Sequence, residues 1–279
     1  MLKRVISSVI GLPLLLLFVF CGGLLLRFGL LALSLLALYE LFSVISTEKK
    51  PTHYVAYGFT CLYMLGLPWL TESVTLLAFA GFALLLLLCL IAWHETVDLW
   101  DAAAGLFAFF YVPFLMSFVY IARNHALGNF FVWFIFLSAA GSDTFAFFTG
   151  KALGKHKLCP KLSPKKTVEG AVGGVVGAVV LGAGFLITFE RLTLAPAPSY
   201  SFTSAGIVFF GGNPLITVAI ICAVCAVLSQ LGDLTASAIK RRAGVKDFGH
   251  IIPGHGGILD RFDSLLFTAP GVYAFMLVL

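Results

Sequence analysis

Charge is scarce in this 279-residue chain: only 11% of residues are Asp, Glu, Lys or Arg, while 60% are hydrophobic. Mean hydropathy is +1.03. A soluble domain carries about a quarter charged residues, so a soluble globular fold is excluded. Strict alternation of polar and apolar residues is also missing. That excludes a membrane barrel and leaves helices as the spanning element. No G-x-x-x-x-G-K-[ST] run is present, which argues against ATP-driven pumping. There is no His/Cys cluster of zinc type and no nucleic-acid motif. Cysteine is sparse, at six residues: Cys21, Cys61, Cys89, Cys159, Cys222 and Cys225. Cys222 and Cys225 form a C-x-x-C inside an apolar run with no second pair, so they read as small packing residues, and no disulfide framework follows. Ser237-x-x-Lys240 lacks the partner elements that would make it an acylation motif.

What is present is a succession of apolar runs, each about long enough to cross a bilayer core. The spacing predicts an all-α polytopic membrane protein of about nine spans: Val5–Leu26, Phe28–Ser46, Tyr54–Leu70, Val74–Trp93, Ala102–Ile121, Asn129–Gly150, Val168–Phe189, Pro214–Ile239 and Ser264–Leu279. Lys3-Arg4 before the first run also fits a secretory signal peptide. The run is long for one and lacks a clean Ala-x-Ala site, so a retained helix is expected, with Pro13 tolerated inside it.

Cations set the orientation. With a cytoplasmic N-terminus and an external C-terminus, Lys3, Arg4, Lys49 and Lys50 fall inside. So do the six lysines from Lys151 to Lys166 and the five cations Lys240, Arg241, Arg242, Lys246 and Arg261. Only Arg27, Arg123 and Arg191 fall outside, as the positive-inside bias requires. The expected location is the cell (inner) membrane, with both basic loops, 151–167 and 240–263, facing the cytosol. The net charge of +5 then answers to anionic lipid and substrate.

The chain divides near residue 125. Residues 1–125 read as helices with short loops and little chemistry. Glu40, the only acid within the first two spans, is expected to snorkel toward the cytosol, and the loop His94–Asp101 reads as a solvated connection. Residues 126–279 read as the catalytic region. Asp143 and Asp233 lie toward the cytosolic ends of their spans, where a carboxylate is costly unless paired or liganded. Gly170, Gly173, Gly174 and Gly177 form overlapping small-xxx-small pairs, which signal close helix packing and allow a homodimer seam. The segment from Thr193 to Pro214 is expected to be an outside loop.

The densest chemistry is the run from Ser237 to Asp263, SAIKRRAGVKDFGHIIPGHGGILDRFD. N–H groups of Gly254, Gly256 and Gly257 can approach anionic oxygens, because no Cβ intervenes. Asp260 and Asp263, three apart on a helical turn, can face one divalent cation. This run resembles the signature of the phosphatidate cytidylyltransferases, the CDP-diacylglycerol synthases, at Ser237, Lys240, Arg241, Lys246, Asp247, Pro253 to Gly257, Asp260, Arg261 and Asp263. Ser163-Pro164-Lys165-Lys166-Thr167-x-Glu169-Gly170 and the Asp143 context SDTFAFFTGK are similar to the same family's elements.

The resemblance implies that CTP and phosphatidate give CDP-diacylglycerol and pyrophosphate, with positioning and electrostatics as the main catalytic devices. Asp233, Asp260 and Asp263, with Asp143, are then the expected ligands of Mg²⁺, holding one or two cations. Lys240 and Arg261 join the catalytic set. Lys166, Arg241 and Lys246 are expected to bind phosphates, together with Ser237, Gly254, His255, Gly256 and Gly257, His255 as a donor. Glu169 is expected to ligate a metal or hold Lys166. Two rivals are a CTP-dependent polyprenol or dolichol kinase and a secondary transporter using Asp143 and Asp233. The kinase is disfavoured by the complete match to the signature. The transporter is disfavoured because its acids sit near the midplane within repeats.

Overall fold

A computed structural model describes residues 13–46, 50–193, 213–251 and 256–278. The N-terminal part of the first expected span, Lys3, Arg4, Lys49, residues 194–212 of the expected outside loop, and Pro253, Gly254 and His255 lie outside the described residues. Ten helices appear among the described residues, with one small hairpin. They are α1 (13–21), α2 (Gly23–Ile45), α3 (Pro51–Gly66), α4 (Glu72–Ala92), α5 (Leu99–Phe109) and α6 (Leu115–Asn124). After these come α7 (Gly128–Leu153), β1 (Lys157–Cys159), β2 (Ser163–Thr167), α8 (Val168–Thr193), α9 (Pro214–Arg242) and α10 (Leu259–Val278). The all-α membrane class holds. Among the described residues six spans are long and apolar enough to cross a membrane: α2, α4, α5 continuous with α6, α7, α8 and α9. α3, with 16 residues, is short for a crossing, and α10 opens on Asp260, Arg261 and Asp263.

The first helix break is not where charge suggested. Gly22 and Gly23 adopt φ of 63° and 53°, a region that a Cβ disfavours, and the chain turns there. Arg27 therefore sits inside α2, 6% exposed. Its Nη1 donates to the Leu65 carbonyl at 3.0 Å, and its guanidinium lies 5.6 Å from the Trp69 ring. Arg123 closes the end of α1 by donating to the carbonyls of Val19 and Phe20. Pro113 lies in a π-helical turn, Phe110–Phe114, which joins α5 to α6 without breaking the span.

The chain packs as two units. The first comprises Met1–Asn124 with Ile239–Phe262, and the second comprises His125–Ala238 with Asp263–Leu279. α9 and α10 both run across the division. The core of the first unit is aromatic, with Phe59 stacked on Phe82 at 4.3 Å and Phe109 edge-on to Phe59 at 4.8 Å. Tyr63 enters the same cluster and shares a hydrogen bond with Ser117 at 3.0 Å.

The second unit is organised by α7 against α8. A Cβ at Gly174 would lie 2.7 Å from the Ser142 carbonyl, and one at Gly170 would lie 2.8 Å from that of Ala146. Gly173 and Gly177 face Thr149 and Phe145 as closely. The close helix packing that the glycine stripe signals is thus found within the chain, where it lets the α7 and α8 backbones approach. Gln230 of α9 ties this pair by donating to the Ala171 carbonyl at 2.9 Å and to Ser142 Oγ at 3.2 Å.

Candidate active site

In the second unit, β1 and β2 pair antiparallel, with Lys157 opposite Thr167 and Cys159 opposite Ser163. No apolar alternation announces strands this short, and the segment reads from sequence as an irregular loop. The hairpin delivers β2 directly into α8, and the polar residues Lys166, Thr167 and Glu169 diverge there. Lys166 reaches Asp233 of α9, Nζ to Oδ2 at 2.5 Å, both side chains about a quarter to a third exposed. Thr167, nearly buried, accepts the Gly170 N–H at 3.1 Å and so caps α8. Glu169 turns back, accepting from His156 Nδ1 at 2.6 Å and from the N–H groups of Lys155 and His156. It braces the hairpin's approach rather than holding Lys166. A Cβ at Gly154 would collide with Thr167 and the Gly150 carbonyl, so the bend into the hairpin admits only glycine.

Lys166, Thr167 and Asp233 border a cavity of about 360 Å³. Asp143 and Lys151 of α7, Lys165 and Lys166 of β2, and Gln230 and Asp233 of α9 line it. Ser237, one turn beyond Asp233, donates to its other oxygen at 3.4 Å. Two carboxylates and three ammonium groups thus share one concavity, an arrangement able to hold a polyanion with a cation. Asp263 is 7% exposed and accepts its neighbour's Ser264 N–H at 2.7 Å. Its carbonyl packs on Gly232, beside Asp233, so closely that a Cβ there would lie 2.5 Å away.

In the first unit, α9 ends at Arg242 and the chain turns at Gly244, whose φ of 72° suits the position just past a helix terminus. Lys240, in that last turn, meets Asp260 at 2.6 Å. The other Asp260 oxygen accepts from Phe248 N at 2.8 Å and Gly257 N at 3.0 Å. Gly257 therefore spends its N–H on a carboxylate, where the sequence suggested a bound phosphate. Gly256 takes φ 82° beside this carboxylate. Arg241, Lys246 and Arg261 are exposed. Among the described residues, no group of three or more His, Cys, Asp or Glu side chains clusters as a metal site.

Glu40 is the residue that sequence reasoning underestimated. It is 1% exposed, and its carboxylate accepts the N–H groups of Ile258 and Leu259, each at 2.9 Å. It does not snorkel. The signal was present, since a lone acid in an apolar span is costly without partners. What was missing was the partner, more than two hundred residues away.

The chain matches the profile of the "Cytidylyltransferase family" over residues 2–279. It is 34% identical to "Phosphatidate cytidylyltransferase" of Bacillus subtilis (strain 168), covering all of this chain and 98% of that protein. The enzyme of the same name from Staphylococcus aureus (strain COL) is 32% identical, over 96% of this chain and 95% of its own length. That of Haemophilus influenzae (strain ATCC 51907 / DSM 11121 / KW20 / Rd) is 37% identical, over 67% of this chain and 62% of its own.

Proposed function

The chain belongs to the cytidylyltransferase family, and from that premise we propose that it makes CDP-diacylglycerol and pyrophosphate from CTP and phosphatidate. It is a multi-pass membrane protein, which suits a substrate that resides in the bilayer. The observation that carries the reading is the cavity wall on which Lys166 meets Asp233 beside Asp143, with Lys151 and Lys165 around them. Cations for a triphosphate and carboxylates for a divalent ion stand in one place.

The residues suit Mg²⁺. Asp143 and Asp233 offer hard oxygen ligands, and among the described residues no thiol or imidazole lines the same cavity. Mg²⁺ usually takes one or two carboxylates and completes its shell with water and substrate phosphate. Asp143 and Asp233 would hold it, with Asp263 as a further ligand, and the ion would supply charge neutralisation on the triphosphate. Asp260, whose oxygens are already engaged, orients Lys240 instead, and a metal there would have to displace that ammonium.

The attacking group is a phosphate monoester with a second pKa of about 6, already largely a dianion at neutral pH, so no general base is required. Its oxygen bonds to the α-phosphorus of CTP while the bond to the β-phosphate oxygen breaks. Pyrophosphate leaves with the electron pair. Lys166, Lys165 and Lys151 offset the repulsion between the two anions and the charge gathering on pyrophosphate. Ser237 steadies Asp233. Phosphate binding is also assigned to Lys240, Arg241, Lys246 and Arg261. The bias of 15 of 18 Lys and Arg residues to one face of the expected topology supports a site on the cytosolic side of the cell membrane.

Purified protein in detergent, given CTP labelled on its β- or γ-phosphate, should release labelled pyrophosphate only when phosphatidate is added. Excess EDTA should stop the reaction. Transfer of the γ-phosphate to a polyprenol, leaving CDP, would replace this reading, and activity undiminished in EDTA would remove the divalent ion from it.

A further inference from the structure

Glu40 is out of place for an ordinary span residue. A carboxylate at 1% exposure inside an apolar helix is expensive, because water cannot solvate it there. It has instead two backbone donors, Ile258 and Leu259, at the point where α10 begins. The first N–H groups of a helix have no partner within it, and the helix dipole favours negative charge there. Glu40 of α2 therefore serves as a tertiary cap for α10.

Two glycines are shaped to this carboxylate. A Cβ at Gly249 would lie 2.5 Å from Glu40 Oε1, and one at Gly257 would overlap the carboxylate more closely still. From the opposite side Asp260 takes the N–H of Gly257 and that of Phe248. The consecutive donors Gly257, Ile258 and Leu259 are thus all held by two acids, one of which pairs with Lys240. Lys240 and Asp260 can keep their geometry only if this turn keeps its own.

We propose that Glu40 is a positioning residue for cytidylyl transfer: it holds the turn Gly256–Leu259 in the shape that sets Asp260 and Lys240. The proposal rests on the function given above. Glu40 touches neither reacting group, and its effect passes through the backbone. Glu40→Gln is the informative change. The amide keeps the size but turns an NH₂ toward one of the two N–H donors, so one hydrogen bond is lost and a donor faces a donor.

The purified full-length protein in detergent is assayed in six forms: wild type, Glu40→Gln, Glu40→Asp, Glu40→Ala, Gly257→Ala, and Glu40→Ala combined with Gly257→Ala. Turnover is measured with CTP and phosphatidate, and amide hydrogen exchange is measured in parallel. Glu40→Gln should lower kcat at least about tenfold, with the KM for phosphatidate changed less than about twofold, a split that points to the reacting geometry rather than to binding. Exchange of the segment Gly256–Asp260 should rise at least about tenfold while the α7 segment Val132–Ser142 is unchanged. Glu40→Asp, which keeps both acceptors, should exceed Glu40→Gln in kcat. In the double variant, the second substitution should cost less than Gly257→Ala does alone, because the carboxylate it collides with is gone. Near-normal kcat in Glu40→Gln, or exchange that does not change, would overturn the proposal with the function intact. A wild-type protein that makes no CDP-diacylglycerol would instead overturn the function, and with it the claim that this hold serves transfer.

Discussion

A lysine ammonium 2.5 Å from a carboxylate is already part-neutralised, so its task when a substrate arrives is one of exchange. Lys166 would leave Asp233 for a triphosphate oxygen, and the freed Asp233 carboxylate would be available to hold a divalent ion, so that the local charge would stay balanced. Lys166→Ala should therefore raise the KM for CTP about tenfold or more, roughly 1.4 kcal/mol, and that for phosphatidate less. Initial rates with each substrate varied in turn check this, and a selective rise for phosphatidate would make the hairpin a lipid-binding element. Asp263→Asn should bring kcat below about a tenth of wild type at saturating Mg²⁺, since an amide offers a metal no charge. Retention of more activity would remove the ligand role. Of these side chains, Lys166, Asp233 and Asp143 were legible as chemistry in the sequence, because charged residues stand out in an apolar chain. Glu169 was legible as functional but not as a brace, for its partners are two backbone N–H groups and one imidazole that no motif records.

At the scale of elements, α7 and α8 carry the second unit, and the glycine stripe sets how closely they approach. Gly174→Ala places a Cβ 2.7 Å from the Ser142 carbonyl, backbone that cannot rotate away. The helices must part, at a cost of about 1–3 kcal/mol. A thermal shift in detergent should show a clear loss of Tm. Gly184→Ala, with nothing within 4 Å of the new Cβ, should show none. An unchanged Tm for Gly174→Ala would mean that α7 and α8 pack less closely than described. The spacing of the stripe disclosed a close helix contact, yet not its partner, since small residues serve a neighbour in the same chain and a second copy equally well. The first helix break failed for a similar reason. Arg27 looked like a helix boundary, but a carbonyl at the end of α3 and the face of Trp69 allow it to lie inside α2, and Gly22-Gly23 takes the turn.

For the whole molecule, the cation bias predicts that the hairpin faces the cytosol. In a background without the six native cysteines, Lys157→Cys should resist a membrane-impermeant thiol reagent in intact cells and react in inverted vesicles. Labelling in intact cells would put the Lys166 cavity on the side without CTP and end the assignment.

The sequence by itself determined the class and the chemistry. Scarce charge and long apolar runs leave only membrane-crossing helices, and a polar signature embedded in such a chain is hard to mistake, because every charge there needs a reason. Tertiary structure alone decided which groups meet. Glu40 finds Ile258 and Leu259, Lys166 finds Asp233, and Gly257 yields its N–H to Asp260. Those partnerships depend on how helices far apart in the chain pack together, and local periodicity carries no record of that.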